Sequence, residues 1–317
     1  MLLYYVSIKG NNIMFIIADE NSEGLRLDYF LSELYEGISR SKIQTAIKGG
    51  KVTVNTVTKK PSYLLKENDK IEFENLAEEN NIRIEPENIP LEIIWEDENM
   101  AVINKPSGML THPTAVETSG TLVNALLYKY KDNLSDINGD FRRGIVHRLD
   151  RNTSGLLMIA KNNLAHNYLA DLIKNHQILK KYHAILKGSY PIDEDIIEEP
   201  IGRHKTQRHK MAVVPDGKPS KTILKVLERF EDATYVELTL ITGRTHQIRV
   251  HTSYKKYPVY NDTLYGAGCG KVKTEEQVLQ SYYIKFAKPF SAQIIELEIK
   301  PDEKLSKVLT YLRNRRV

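Results

Sequence analysis

The chain has 317 residues and a mass of 36.4 kDa, more than the roughly 250–300 residues at which single cores stop growing, which excludes a small disulfide-stapled scaffold. Hydrophobic residues make up 41% and charged residues 27%, as in ordinary globular proteins, and no stretch approaches the roughly 20 apolar residues of a membrane span. The opening Met1 to Val6 is too short and lacks the basic flank of a signal peptide. The single Cys269 can form neither an internal disulfide nor a cysteine metal cage, so a reducing, cytoplasmic setting is expected.

The net charge of +4 hides a segregation. Phe73 to Met100 holds nine acids against Arg83 alone, a balance of −8 that leaves +12 elsewhere. Arg40 to Lys60 has six Lys/Arg and no acid, and Ile201 to Thr222 has six against Asp216. A nucleic-acid partner fits both basic stretches, although a solvated surface explains either one alone as well.

Along the chain, Leu25, Leu27, Phe30, Leu31 and Leu34 give a helix-like apolar face. Ser39 or Ser41 can cap a second helix that runs to about Lys48 and ends at Gly49-Gly50. Lys51 to Asn55 alternates as a strand with Val52 and Val54 on one face, and Ile71 to Phe73 is its candidate return. Met1 to about Ile13 carries no functional signal. The helix-helix-strand module resembles the alpha-L (ribosomal S4-like) RNA-binding domain through Gly24-Leu25-Arg26-Leu27-Asp28, Ser39-Arg40-Ser41 and the run Ile47 to Asn55. That resemblance implies that Arg40, Lys42, Lys48 and Lys51 pair with phosphates of folded RNA.

The acidic segment with Pro86 and Pro90 is the linker candidate. The expected organisation is therefore residues 1–73 as an RNA-binding domain with an N-terminal extension, 74–90 as a linker and 91–317 as a second domain. In that second domain Ile93 to Trp95, Met100 to Ile103, Tyr182 to Leu186, Thr222 to Leu227, Tyr235 to Ile241 and Ile294 to Ile299 read as strands, and Thr121 to Tyr128 and Asn163 to Ile173 as helices. The expected class is α+β, with a central, largely antiparallel mixed sheet and flanking helices.

Two polar constellations stand out. Arg142 to Gly155 wedges His147-Arg148-Leu149-Asp150 between apolar segments, a costly place for an idle carboxylate, although a surface turn with a salt bridge accounts for the pattern equally well. In Thr242 to His251, Thr245 is placed to start a helix on which Ile248, Arg249 and Thr252 share a face, and an arginine there can hold a carboxylate ionised. His246 and His251 are five apart, not the four of a helical zinc pair, so no metal is expected. Gly266 to Lys271 lacks the first glycine and the Ser/Thr of a phosphate loop, no Gly-x-Ser-x-Gly elbow exists, and Cys269 has no activating basic pattern beside it.

His147-Arg148-Leu149-Asp150-x-x-Thr153-Ser154-Gly155-Leu156-Leu157 closely resembles the catalytic motif of the RluA/RluD-type RNA pseudouridine synthases. Asn104 to Gly108 with His112-Pro113, Lys180-Lys181-Tyr182-x-Ala184, Lys218-x-Ser220-x-Thr222, and Thr242 through Arg249 resemble the family's other motifs in order, from about Leu91 to Pro301. Asn261-Asp262, Gln280-Ser281 and Lys288 depart from the usual Gly-Asp, His-Ala and His, at positions expected to be peripheral to the centre.

The resemblance implies isomerisation of uridine in RNA to pseudouridine, without cofactor or metal. Asp150 is the implied carboxylate, with attack at C1′ and removal of a C2′ proton both open to it. Tyr182 is the ring under the target base, Arg249 the partner of Asp150, and Arg148 either displaces the flipped base or clamps a phosphate. His147 is expected to be a structural hydrogen-bonding residue, and Leu156 and Leu157 core. Large-subunit ribosomal RNA is the leading substrate and transfer RNA the runner-up, for a cytoplasmic monomer. A non-catalytic ribosome-associated binding protein and a glycosidase with paired carboxylates are the competing classes.

Overall fold

The computed structural model describes residues 3–8, 11–19, 22–34, 40–74, 84–114, 116–207, 210–266, 270–272, 274, 276–291 and 293–315. Cys269, Ser39 and residues 75–83 of the expected linker lie outside them. The chain divides into two compact units, Met1–Arg83 and Ile84–Val317.

In the first unit β1 (Leu3–Ile8), β2 (Asn11–Ile17), α1 (Leu27–Leu34), α2 (Arg40–Lys48), β3 (Val52–Val54) and β4 (Lys70–Glu74) follow one another. The strands form an antiparallel sheet in the order β1-β2-β4-β3. The one-turn spacing of Leu27, Phe30 and Leu31 on α1, and of Ile43 and Ile47 on α2, lays both helices on Ile16, Val52, Val54, Ile71 and Phe73. Gly50, at φ +79°, closes α2: its N–H donates to the Ile47 carbonyl at 3.2 Å and the Lys51 N–H to that of Ala46 at 3.0 Å, a Schellman stop that only a left-handed residue completes. The strand pair β1 and β2 was not foreseen in the sequence, since its sheet partner β4 lies more than 50 residues further along the chain.

The second unit contains β5 (Glu92–Glu96), β6 (Met100–Lys105), α3 (Leu122–Tyr130), β7 (Ser154–Ala160), α4 (Asn163–Lys174), β8 (Leu179–Lys187), β9 (Glu194–Glu198), the hairpin β10 (Ile201–Arg203) and β11 (Met211–Val213), β12 (Lys221–Arg229), β13 (Ala233–Leu240), α5 (Gln247–Tyr254), β14 (Leu279–Ala287), β15 (Ile294–Glu298) and α6 (Glu303–Asn314). Nine strands make one sheet, β5-β6-β7-β14-β8-β13-β12-β9, with β15 beside the far end of β14. Among the described residues every strand pair of this sheet is antiparallel except β7 with β14, so the sheet is the largely antiparallel mixed one expected. At that parallel join Gly155 faces Ser281, and a Cβ on Gly155 would sit 2.1 Å from the Ser281 carbonyl oxygen; only glycine lets the two strands meet.

Helix α4 covers one part of the sheet through Leu169 and Leu172 on Val102, Leu156 and Met158. Helix α6 covers another through Leu305, Val308, Leu309 and Leu312, a one-stripe repeat that sequence reading passed over. Leu156 and Leu157 are core residues. Residues 84–90, expected to be linker, are strapped to the second unit: Ile84 is buried, the Glu87 N–H donates to Asn124 O at 3.0 Å, and the Glu87 carboxylate accepts the Gly120 N–H just ahead of α3. An acid there suits the positive end of the helix. Among the described residues no helix is long and apolar enough to cross a membrane.

Candidate active site

The segment Gly144–Thr153 enters β7, and the neighbouring loop after β6 fixes its backbone. The Thr111 hydroxyl donates to Leu149 O (2.9 Å), the Gly108 N–H and the Lys105 ammonium to Arg151 O (both 3.0 Å), and the Ser107 hydroxyl to Asn152 O (3.0 Å). Lys105 is fully buried and gives its other two hydrogens to the carbonyls of Pro106 and Met109, at 2.8 Å each. Burial, with Lys304 adding, pushes its pKa down to about 7. Lys304, in the first turn of α6, likewise donates to Asn152 O, Ser107 Oγ and Gln277 O at 2.8–3.0 Å. Neither lysine was singled out from the sequence. Lys105 lies in a quoted motif, but nothing local marks Lys304, whose acceptors lie up to 197 residues away.

Held in this way, Asp150 points into a cleft of about 440 Å³ lined also by Arg148, Lys180, Tyr182, His246, Arg249 and Leu279. Its Oδ2 accepts a hydrogen bond from Arg249 Nη1 at 3.0 Å, and Oδ1 lies 3.8 Å from His246 Nε2. Behind Arg249, the fully buried Asp262 takes Nε at 2.6 Å and Nη2 at 2.9 Å, a bidentate clasp that aims the third nitrogen at Asp150. Burial works against the guanidinium charge, yet Asp262 and then Asp150 outweigh it, and the pKa of Arg249 is raised. Asp262, in one of the segments expected to be peripheral, is thus part of the centre. Its partner is 13 residues away around a loop, a separation that no helix or strand period reveals.

Helix α5 begins two residues later than expected, at Gln247, because His246 takes the left-handed conformation at φ 56°. Gln247 binds the turn together: its Oε1 accepts from the Thr242 hydroxyl and the Arg244 N–H, and its Nε2 donates to Lys221 O and the Thr222 hydroxyl. The Tyr265 hydroxyl accepts the Met211 N–H at 2.8 Å and is hydrogen-bonded to His246 Nδ1 at 2.7 Å. The other ring nitrogen, Nε2, faces Asp150, and burial keeps the ring's pKa below its ordinary value. His251 lies in the core between Thr222 and Glu199 O.

Tyr182, on β8, is buried at the cleft with its pKa pushed up to about 12, chiefly by burial, with the Ser281 hydroxyl opposing and the Asp150 charge adding. His147 accepts the Met158 N–H on Nε2 at 3.0 Å, the structural bond expected of it, and burial followed by the Lys180 charge drives it down to about 3. Arg148 is exposed at the cleft mouth. Among the described residues the lining holds five cations, Arg148, Lys174, Lys180, Arg244 and Arg249, and one carboxylate, Asp150.

In the first unit, Arg40, Lys42, Lys48 and Lys51 lie on α2 and its exit, as the sequence placed them. Arg40 is tied to the fully buried Asp28 at 2.9 Å, beside Arg26 at 3.0 Å and Gln44 at 2.6 Å. Lys42 and Lys48 are exposed, whereas Lys51 is half-buried. At 3.6 residues per turn, Arg40 and Lys48 are separated by about 80° around α2, with Lys42 on the other side.

Residues 99–254 match the family model for RNA pseudouridylate synthase, and residues 25–71 match that for the S4 domain. The chain is 39% identical over 298 residues, 94% of it and 97% of the relative, to the uncharacterized RNA pseudouridine synthase YlyB of Bacillus subtilis. It is 38% identical to ribosomal large subunit pseudouridine synthase D of Buchnera aphidicola, over 92% of this chain and 95% of that one. Among solved structures, human RNA pseudouridylate synthase domain containing 1 matches 71% of this chain and 95% of its own at a TM-score of 0.56 and 25% identity. The chain belongs to the RNA pseudouridylate synthase family. It is an RNA pseudouridine synthase of the RluA/RluD type, with an S4 domain ahead of the synthase domain.

Proposed function

We propose that this enzyme isomerises uridine in large-subunit ribosomal RNA, with Asp150 as the carboxylate that acts on the ribose of a flipped nucleotide. The observation that carries this reading is the Arg249–Asp150 pair at 3.0 Å in a cleft that, among the described residues, has no second lining acid. A glycosidase of the paired-carboxylate kind needs a partner roughly 5–9.5 Å away and open to substrate, whereas Asp262 is committed to Arg249.

The C1′–N1 bond breaks and a C5–C1′ bond forms; C5 loses a proton and N1 gains one. Atoms and electrons balance within the substrate, so the reading requires neither a cofactor nor a metal. Asp150 attacks C1′ or removes the C2′ proton, and the bond from Arg249 keeps it aimed for either route. With its pKa pushed to about 12, Tyr182 meets the base at neutral pH as an apolar ring with a protonated hydroxyl. Arg148, exposed at the mouth, takes the place of the extruded base or holds a phosphate. In the first unit Arg40, Lys42, Lys48 and Lys51 contact RNA phosphates. The large-subunit assignment rests on the named relatives, and a cytoplasmic setting goes with it; a monomer is part of the proposal.

Pseudouridine maps of total RNA from cells with the protein, without it, and with Asp150→Asn test the reading. One or a few large-subunit uridines should stay unmodified in the last two. Loss confined to transfer RNA would move the substrate, and full modification by Asp150→Asn would remove Asp150 from the chemistry.

A further inference from the structure

Strand β8 brings two side chains to the cleft, Tyr182 and, two residues before it, Lys180, about 7 Å back along the same face. Lys180 pairs through its backbone with Leu240 and Ile284, so its position is fixed from both sides of the strand. Its ammonium lies against the Thr242–Arg244 turn, where a Cβ on Gly243 would be 3.6 Å from Nζ. The lining it shares includes the apolar Ile173, Ile178, Leu240 and Ile241, and its charge reaches His147.

Lys180 differs from the other two lysines withdrawn from water near the site. Lys105 and Lys304 each give all three ammonium hydrogens to protein oxygens. Lys180 makes no hydrogen bond or ion pair among the described residues, and burial depresses its pKa with no carboxylate lifting it back. Asp150, the one lining acid among the described residues, is bonded to Arg249. A half-buried ammonium that opens into the cleft without a protein acceptor keeps its hydrogens for an anionic ligand, which can replace the water there.

We propose that Lys180 is the seat of a phosphate subsite, in which its ammonium, on the same face of β8 as Tyr182 and against the Gly243 turn, takes a phosphodiester oxygen of the RNA beside the flipped uridine. This rests on the reading of the cleft as the uridine-isomerising site. A phosphodiester suits the site better than the uracil ring: it brings a negative charge to a lysine that, among the described residues, has no carboxylate or carbonyl partner of its own, whereas the base is neutral. Further out, Lys174 and Arg244 extend the same positive lining toward the next phosphates.

The test uses the full-length protein and a ribosomal RNA fragment that the wild type binds, with Lys180→Met and Lys180→Arg. Dissociation constants are measured across a salt series, turnover under single-turnover conditions, and melting without RNA. Lys180→Met should weaken binding on the order of tenfold and flatten the salt slope by about 0.7–0.9, the share of one phosphate contact. Lys180→Arg should restore the slope, and the loss in Lys180→Met should fall on the dissociation constant more than on the saturated rate. Without RNA, Lys180→Met should melt no lower than the wild type, because it removes an uncompensated charge. An unchanged salt slope, a loss confined to the saturated rate, or a marked fall in melting temperature would each overturn the subsite. Wild-type binding without any pseudouridine formation would instead defeat the parent reading, since binding and turnover are read separately.

Discussion

Asp28 and Asp150 are both withdrawn from water beside arginine, yet they are built for opposite ends. Asp28 is fully buried and receives Arg26 through two bonds, Arg40 and Gln44, so both of its oxygens are occupied. Asp150 keeps 16% of its side-chain surface exposed, takes one guanidinium hydrogen on Oδ2, and leaves Oδ1 without a bond closer than 3.8 Å. A carboxylate whose lone pairs are used up locks a fold; one held by a single firm bond retains a lone pair for substrate. The orienting work at Asp150 is moved one step back, to the Asp262 clasp on Arg249.

Exchanging charge for an isosteric amide should separate the two most sharply. Asp150→Asn should lower pseudouridine formation at least about a thousandfold, on the order of 4 kcal/mol in the barrier. Its melting temperature should shift by only a few degrees. Asp28→Asn should do the reverse, costing about 1–2 kcal/mol of stability, a modest figure because both arginines are half exposed and rehydrate. Its turnover at saturating RNA should stay within about twofold of wild type, well inside one decade of rate. If both variants lose turnover alike, the distinction between them fails.

Asp262→Asn sharpens the comparison from behind. With the clasp weakened, Arg249 should wander and the saturated rate fall roughly a hundredfold, as for a misplacement of about 1 Å. The same variant should also lose stability, about 2–4 kcal/mol, because a buried guanidinium loses charge compensation. Chemical denaturation and single-turnover rates on one preparation check both.

Acid should reach the two units at different pH. His147 in the second unit has a folded pKa near 3, and His112 and His183 near 4, each lowered first by burial. A depressed histidine contributes stability that is complete above its unfolded value, about 6.5, and is lost as pH falls toward the folded one. Asp28, depressed first by its bond from Arg26 against the cost of burial, contributes stability that is complete above about pH 3.9 and is lost only below it. Amide exchange on the whole chain should show the second unit weakening between about pH 6.5 and 4 while the Asp28 region holds. Loss of protection around Asp28 first would contradict the assignment. The smallest effect expected is that of Lys48→Ala, which should weaken RNA binding evenly across sequences and reduce the salt slope by about one contact.

Much of this was readable before the structure. The one-turn spacing of Leu27, Phe30 and Leu31 announced α1, Gly49-Gly50 announced the end of α2, and the Asp150 and Arg249 segments stood out by carrying charge between apolar runs. Those signals are local, with periods of two to four residues. The clasp of Asp262 on Arg249, the Lys304 bonds to Ser107 and Asn152, and the sheet place of β1 and β2 depend on pairings across loops or whole domains. The left-handed His246 was hidden for another reason, since no side-chain pattern marks it and its conformation follows from the turn that Gln247 holds.

The lone parallel join in the sheet has a consequence for how the chain matures. Strand β14 is the sole neighbour shared by β7 and β8, and it lies some 125 residues beyond β7 in sequence. A growing polypeptide that already contains Asp150, Tyr182 and Arg249 therefore owns two half-sheets, β5-β6-β7 and β8-β13-β12-β9, with no strand to align them. So distant a pairing is slow to find, and the unpaired edges of β7 and β8 stay exposed until it forms. Synthesis of Leu279–Ala287 is thus the step that aligns the two half-sheets carrying the cleft residues, and an interrupted product ending before it is the form most exposed to edge-to-edge aggregation.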